Sequence, residues 1–231
     1  MFEQIKNFIS GELQGWKRSE VIWFVFCICT TIAVSIILGD NFTGITAAVT
    51  AICYTLLAGK GKVSCYAAGI VNTILYGWIS YKTRLYGEVM LNWGWYLPMM
   101  FAGIFFWKRN LGKANIIRKT RLTFKGRIIT ALLSLSGIII YGFILKKMGD
   151  VQPFVDSTTT ILSVTAMVLT VKRCSDQWLL WTIVNAVSAV MWLKVFQIDG
   201  KSAAMLVMWM LNLANGIIFY FQWRKEMKNA G

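Results

Sequence analysis

Residues 128–145 read IITALLSLSGIIIYGFIL, eighteen positions without a charge. Eight Lys and Arg residues crowd the stretch before it, from Lys108 to Arg127, and Lys146 and Lys147 close its far side. An apolar run of about 18 residues is long enough to cross the hydrocarbon core of a bilayer as a helix. Within that core a helix satisfies its own backbone hydrogen bonds, which irregular chain cannot do. This run therefore decides the fold: the chain is threaded through a membrane.

Working outward, the same rule predicts eight spans, at about 21–38, 43–58, 64–80, 89–107, 128–145, 157–171, 178–198 and 203–223. Composition agrees. The 231 residues are 57% apolar and 15% charged, with a mean hydropathy of +0.58, whereas soluble domains run near 45–50% and 25%. A net charge of +14 would otherwise suggest nucleic acid. Here the bases form short clusters between apolar runs, the pattern of membrane-protein loops, and nucleic acid is not an expected partner. Before the first span, Phe2, Ile5, Ile9, Leu13 and Trp16 recur every three or four residues, which fits either an amphipathic surface helix or a solvated arm. About twenty polar and amphipathic residues ahead of the first run do not fit a cleavable signal peptide.

Orientation follows from the bases. With the N-terminus inside, inner segments hold 18 of the 24 Lys and Arg and outer segments six. The positive-inside rule then places both termini in the cytoplasm.

Sliding the chain on itself until Asn72 meets Asn185 matches 46–106 with 159–219 without a gap, and brings Gly103 onto Gly216. The expected architecture is an all-α integral membrane protein of eight transmembrane helices. Its core is a seven-helix three-plus-one-plus-three arrangement, with two parallel three-helix repeats, and an extra N-terminal span precedes it. The segments are an amphipathic stretch (1–19), the extra helix (20–40), the first repeat (41–109), a basic cytoplasmic loop with the linker helix (110–150), the second repeat (151–225) and a cytoplasmic tail (226–231). Parallel repeats belong to one transporter design, with a site near the midplane between the halves.

Polar groups at membrane depth are costly and tend to be functional. Trp178, Trp181, Asn185, Ser188 and Trp192 fall on one face of the seventh span. An indole beside an amide suits an aromatic carboxamide, since the ring stacks while the amide donates and accepts. Asn72 and Tyr76 on the third span, Asn92, Trp95 and Tyr96 on the fourth, and Asn212 and Asn215 near Trp209 on the eighth are further lining candidates. The bland alternative for each is interhelical glue or, for Trp178, an interfacial aromatic belt. Glu88 reads as a carboxylate favoured at a helix start.

Several chemistries are excluded or disfavoured. The chain has no histidine, so His-based catalysis and His metal sites are ruled out. Cys27, Cys29, Cys53, Cys65 and Cys174 form no Cys-x-x-Cys pair and read as free thiols. There is no phosphate-binding Gly-rich motif. All ten carboxylates lie in termini, loops or helix ends, which leaves no mid-span carboxylate for proton coupling or membrane catalysis. No Lys or Arg is mid-span to meet a phosphate. No cofactor is expected, and the chain reads as a non-enzyme.

Asn72 through Tyr76-Gly77, then Leu85-Tyr86-Gly87-Glu88 with Asn92 and Pro98, resembles the first half of the PnuC family of bacterial vitamin transporters. Trp178, Trp181 and Asn185, then Lys194 and Gln222-Trp223-Arg224, resemble the second half, and the likeness covers about residues 42–225. The resemblance implies uptake of nicotinamide riboside across the bacterial inner membrane by facilitated diffusion. It also implies a fold related to the SWEET sugar transporters, a homotrimer, and a cytoplasmic kinase that phosphorylates and traps the riboside. Related branches carry thiamine or riboflavin, and a receptor or assembly subunit that moves nothing is the remaining alternative.

Overall fold

Apolar runs of this length can only be helices in a bilayer, and helices are what form. The computed structural model describes residue 12 and residues 14–39, 41–82, 86–112, 116–149, 152–199 and 203–229. Among these, eight helices follow in chain order. They are α1 (Arg18–Ile37), α2 (Phe42–Lys60), α3 (Cys65–Lys82), α4 (from Tyr86 to Lys108), α5 (Phe124–Lys147), α6 (Pro153–Val171), α7 (Gln177–Asp199) and α8 (Ala203–Asn229). The expected amphipathic stretch up to residue 11, and Leu13, lie outside the described residues, as do Leu85 and the side chains of Tyr86, Gly87 and Trp192.

Local chemistry sets the ends. Asn41 Oδ1 accepts from the Gly44 N–H at 2.8 Å to cap α2, and Thr123 Oγ1 accepts from the Gly126 N–H at 3.1 Å to cap α5. Pro153 opens α6, where its missing N–H costs nothing. Five helices, α1, α2, α5, α6 and the 206–229 part of α8, are long and apolar enough to cross a membrane by length and composition alone. The polar and glycine positions of α3, such as Gly69, Asn72, Thr73, Gly77 and Ser80, dilute its hydropathy.

The chain forms two compact units, one ending at Arg118 and the other beginning at Lys119. In the first, α1 packs on α2, α2 on α3 and α3 on α4; in the second, α5 packs on α6, α6 on α7 and α7 on α8. Packing thus assigns the first span to the first triplet and the linker helix to the second. Both added helices dock through small residues. Cys27, Thr31 and Ser35 are buried one turn apart on α1, and Ser134 and Gly142 are the buried positions of α5. Small side chains let helix backbones approach closely in a membrane. A Cβ on Gly142 would come within 2.5 Å of the Phe154 ring on α6.

The two triplets share their corners, and here the expected register is corrected. In the α2–α3 corner Gly61 has φ 71°, its N–H reaches Ala58 O, and the Lys62 N–H reaches Leu57 O. In the α6–α7 corner Arg173 has φ 58°, its N–H reaches Thr170 O, and the Cys174 N–H reaches Leu169 O. Each is a Schellman stop. Their equivalent atoms pair Gly61 with Arg173 and Lys62 with Cys174, an offset one position shorter than the one that sets Asn72 against Asn185. The helices beyond keep that shorter register: Tyr66 packs on Trp107 at 5.0 Å as Trp178 packs on Phe219 at 5.1 Å. The longer offset matched because apolar helices share residue types cheaply in several registers. Asn185 is therefore equivalent to Thr73, and Asn72 is not its mate.

Each corner is also held from outside. In the first unit Lys60 pairs with Glu20 at 2.8 Å, Ser64 donates to Glu12, and Trp16 packs edge-on against Phe24 at 5.5 Å. Burial pulls the Lys62 ammonium below its ordinary range, with Glu12 opposing the shift. In the second, Asp176 accepts from Arg127 Nε at 2.7 Å and from the Leu122 N–H at 2.9 Å, and the Ser175 N–H reaches Thr120 O at 2.8 Å. Lys119 pairs with Glu226 and lies over the Trp223 ring.

Candidate functional site

In the second unit α7 and α8 face each other along a polar seam. On α7, Asn185 and Ser188 are buried; on α8, Asn212 and Asn215 are buried, at 9% and 0% exposure. Gly216 allows close approach of the pair, since a Cβ there would lie 2.7 Å from Thr182 Oγ1. Trp209 sits one turn before Asn212 on the same helix. Two atoms of this seam, Trp209 Nε1 and Asn212 Oδ1, are buried without a hydrogen-bond partner among the described residues.

Trp181 is fixed differently. Its Nε1–H donates to Thr170 Oγ1 on α6 at 3.1 Å, and that hydroxyl donates in turn to Ala166 O at 2.8 Å. The donor is used, so what the half-buried ring can offer a ligand is its face. Trp178, by contrast, is 3% exposed and wedged between Phe219 at 5.1 Å and Trp223 at 5.7 Å. Its ring is a packing anchor, although its Nε1 also has no acceptor.

In the first unit the candidates divide. Asn72 Nδ2 donates to Ala47 O on α2 at 2.9 Å, the interhelical glue its bland reading described. Asn92 is buried and its Nδ2 donates to Glu88 O at 2.9 Å and toward Glu88 Oε2 at 3.4 Å. Glu88 thus holds Asn92 as well as standing near the start of α4. Tyr76 is half-buried on α3, and Trp95 Nε1 on α4 is buried without a partner among the described residues. The middle of α4, Met90–Tyr96, is π-helical, a departure that often marks functional sites. Sequence reasoning missed this segment, because nothing in MLNWGWY announces a wider turn. It also missed Trp209 as a principal residue and Thr170 as the group that orients Trp181.

Among the described residues no group of acidic, cysteine or histidine side chains could hold a metal ion. What the geometry offers is indole faces, amides and hydroxyls, with the Glu88 carboxylate held against Asn92. An all-helical, multi-pass membrane protein with such a buried polar seam has the build of a carrier or receptor for a small ligand.

Comparison with known proteins narrows this. A family model described as nicotinamide mononucleotide transporter matches residues 41–225. The nicotinamide riboside transporter PnuC of Neisseria mucosa is 30% identical over 93% of this chain and 84% of its own. The protein of the same name from Haemophilus influenzae is 29% identical over 94% and 95%. A crystal structure of the vitamin B3 transporter PnuC superimposes with a TM-score of 0.84 at 31% identity, covering 96% of this chain and 97% of that one. The chain belongs to the PnuC family.

Proposed function

We propose that this protein carries nicotinamide riboside across the bacterial inner membrane by facilitated diffusion, as a uniporter with alternating access. Membership in a family whose relatives are named nicotinamide riboside transporters supports the substrate. The observation that favours riboside over mononucleotide is the charge pattern. The family model's description names the mononucleotide, yet this sequence places no Lys or Arg mid-span. A phosphate taken out of water needs such a partner. A riboside needs only amides, hydroxyls and ring faces.

In this reading the Trp181 face stacks on the pyridine ring, and Asn185 with Ser188 bonds the ribose. Trp95, Asn92 and Tyr76 form a separate group of candidate ligand contacts within the first unit. Asn72 and Trp178 act by holding helices together. The three-plus-one-plus-three grouping, cytoplasmic termini, a homotrimer and a cytoplasmic kinase that traps the riboside complete the proposal. Without a mid-span carboxylate to couple ions, inward flux would depend on that trapping.

The test is calorimetry on the detergent-purified protein with the riboside, the mononucleotide, thiamine and riboflavin, followed by uptake of labelled riboside into proteoliposomes. The proposal expects micromolar riboside binding, much weaker mononucleotide binding, and uptake that stops at equal concentrations. Heat from thiamine or riboflavin alone would change the cargo. Binding without uptake would make the protein a receptor.

A further inference from the structure

The corrected register turns the first unit into an internal control for the second. With Gly61 set against Arg173, Asn212 of α8 corresponds to Met100 of α4, Asn215 to Gly103, and Asn185 to Thr73. All six positions are buried. In the first unit Met100 packs against Gly69, and Tyr66 against Gly103, with no amide at either α4 position. The same fold is thus built with an apolar side chain where the second unit has Asn212. Folding alone does not require an amide there. A buried polar atom without a partner costs about 1–3 kcal/mol, so the second unit carries a cost that its counterpart avoids.

The orphaned atoms define the missing partner. Trp209 Nε1 is a donor and Asn212 Oδ1 an acceptor, and both are buried without partners among the described residues. Residues three apart on a helix are neighbours on one face, with Cβ atoms about 5–6 Å apart. A primary carboxamide presents the complement, a carbonyl that accepts and an NH2 that donates. We propose that Trp209 and Asn212 together read the carboxamide of the substrate, Trp209 donating to its carbonyl oxygen and Asn212 accepting from its NH2. This rests on the riboside reading and extends it to the group that separates nicotinamide riboside from its acid. Nicotinic acid riboside has a carboxylate in that place, which cannot donate to Asn212 and would bring a negative charge beside its oxygen.

The experiment measures binding of nicotinamide riboside and nicotinic acid riboside to the purified protein and to Trp209→Phe, Asn212→Leu and Asn212→Met, with thermal unfolding alongside. Asn212→Met installs the side chain that the first unit tolerates at the equivalent place. Each substitution is expected to weaken the amide riboside about five- to tenfold, the worth of one net hydrogen bond. The Asn212 variants are also expected to narrow the preference for amide over acid, while Asn212→Met unfolds no earlier than wild type. If Asn212→Met lowers the unfolding temperature and leaves both affinities and their ratio unchanged, the seam is packing and the proposal is overturned. Equal binding of the two ribosides by wild type overturns it as well. Absence of any riboside binding by wild type would instead sink the substrate assignment, and this proposal with it.

Discussion

Replacing Thr170 by Val removes one oxygen and keeps the shape of the side chain. That oxygen accepts the Trp181 indole N–H at 3.1 Å and is itself buried on α6. The change takes away the acceptor that fixes the ring's rotation about its helix. A net hydrogen bond is worth about 1 kcal/mol, and an abandoned buried donor costs about 1–3 kcal/mol. Trp181 is only half-buried, so water can meet part of that cost and the lower end applies. The Thr170 hydroxyl also donates to Ala166 O, but that carbonyl sits in a helix ladder and loses little. We therefore expect a loss of about 1 kcal/mol in riboside binding, roughly a fivefold rise in Kd, with little change in unfolding temperature. Trp181→Phe should lose a similar amount, and the double variant no more than either alone, a coupling of about 1 kcal/mol. Calorimetry on the four proteins reads this directly. Costs that simply add, or a Kd within twofold of wild type for Thr170→Val, would refute the argument that Thr170 positions the ring.

Gly103→Ala places a Cβ 2.1 Å from Tyr66 Cζ in a fully buried corner. Overpacking of this kind costs about 1–3 kcal/mol, so the unfolding temperature should fall by several degrees, whereas Gly94→Ala, with nothing within 4 Å, should unfold like wild type. Asp176→Ala removes the acceptor of both Leu122 N–H and Arg127. Arg127 is 40% exposed and solvent screens its pair, so most of an expected loss of about 2 kcal/mol reflects the backbone donor left behind; Asp176→Asn, which can still accept from Leu122, should lose less. Burial first, with Asp176 alongside, pushes the Cys174 thiol up to about 11 from an ordinary value of 9.0. The folded state then favours the neutral thiol, a stabilisation complete below pH 9 and lost as pH rises towards 11. Cys174→Ala should flatten that alkaline loss in an unfolding series, and maleimide should label Cys174 slowly at about pH 7 until the protein is unfolded.

The helices were legible because the bilayer leaves so few alternatives. Where an uncharged run such as 128–145 must satisfy its backbone internally, helix is forced, and α5 runs Phe124–Lys147, only a few residues beyond each expected end. The caps Asn41 and Thr123 and the opening Pro153 were equally open to reading, because they act on neighbours in sequence. The packing partners of α1 and α5 were not. Their small-residue stripes are recognisable in Cys27, Thr31 and Ser35, but a stripe does not say which helix will meet it. The π segment of α4 escaped for the same reason: it is a departure of the backbone with no residue type reserved for it.

The site was half legible, and the division follows one physical line. Sequence can say that an amide lies at membrane depth, and it did so for Asn72, Asn92, Asn185 and Asn212. It cannot say whether that amide has already found a partner. Asn72 spends its donor on Ala47 O and Asn92 on Glu88, whereas Asn212 Oδ1 has no partner among the described residues. The cost of leaving such an atom unmet is why we propose Asn212, and not Asn72, as a ligand contact. The register carries the same lesson. In the longer offset Asn72 and Asn185 look like copies of one function, but the Schellman corners set the repeat one position shorter and give Asn185 a threonine for a mate. The halves are therefore alike in their corners and aromatic pairs and unlike along the α7–α8 seam, where Asn212 and Asn215 stand in place of Met100 and Gly103. A duplication kept for packing alone would have no reason to put costly amides into one copy of a seam that the other copy fills without them.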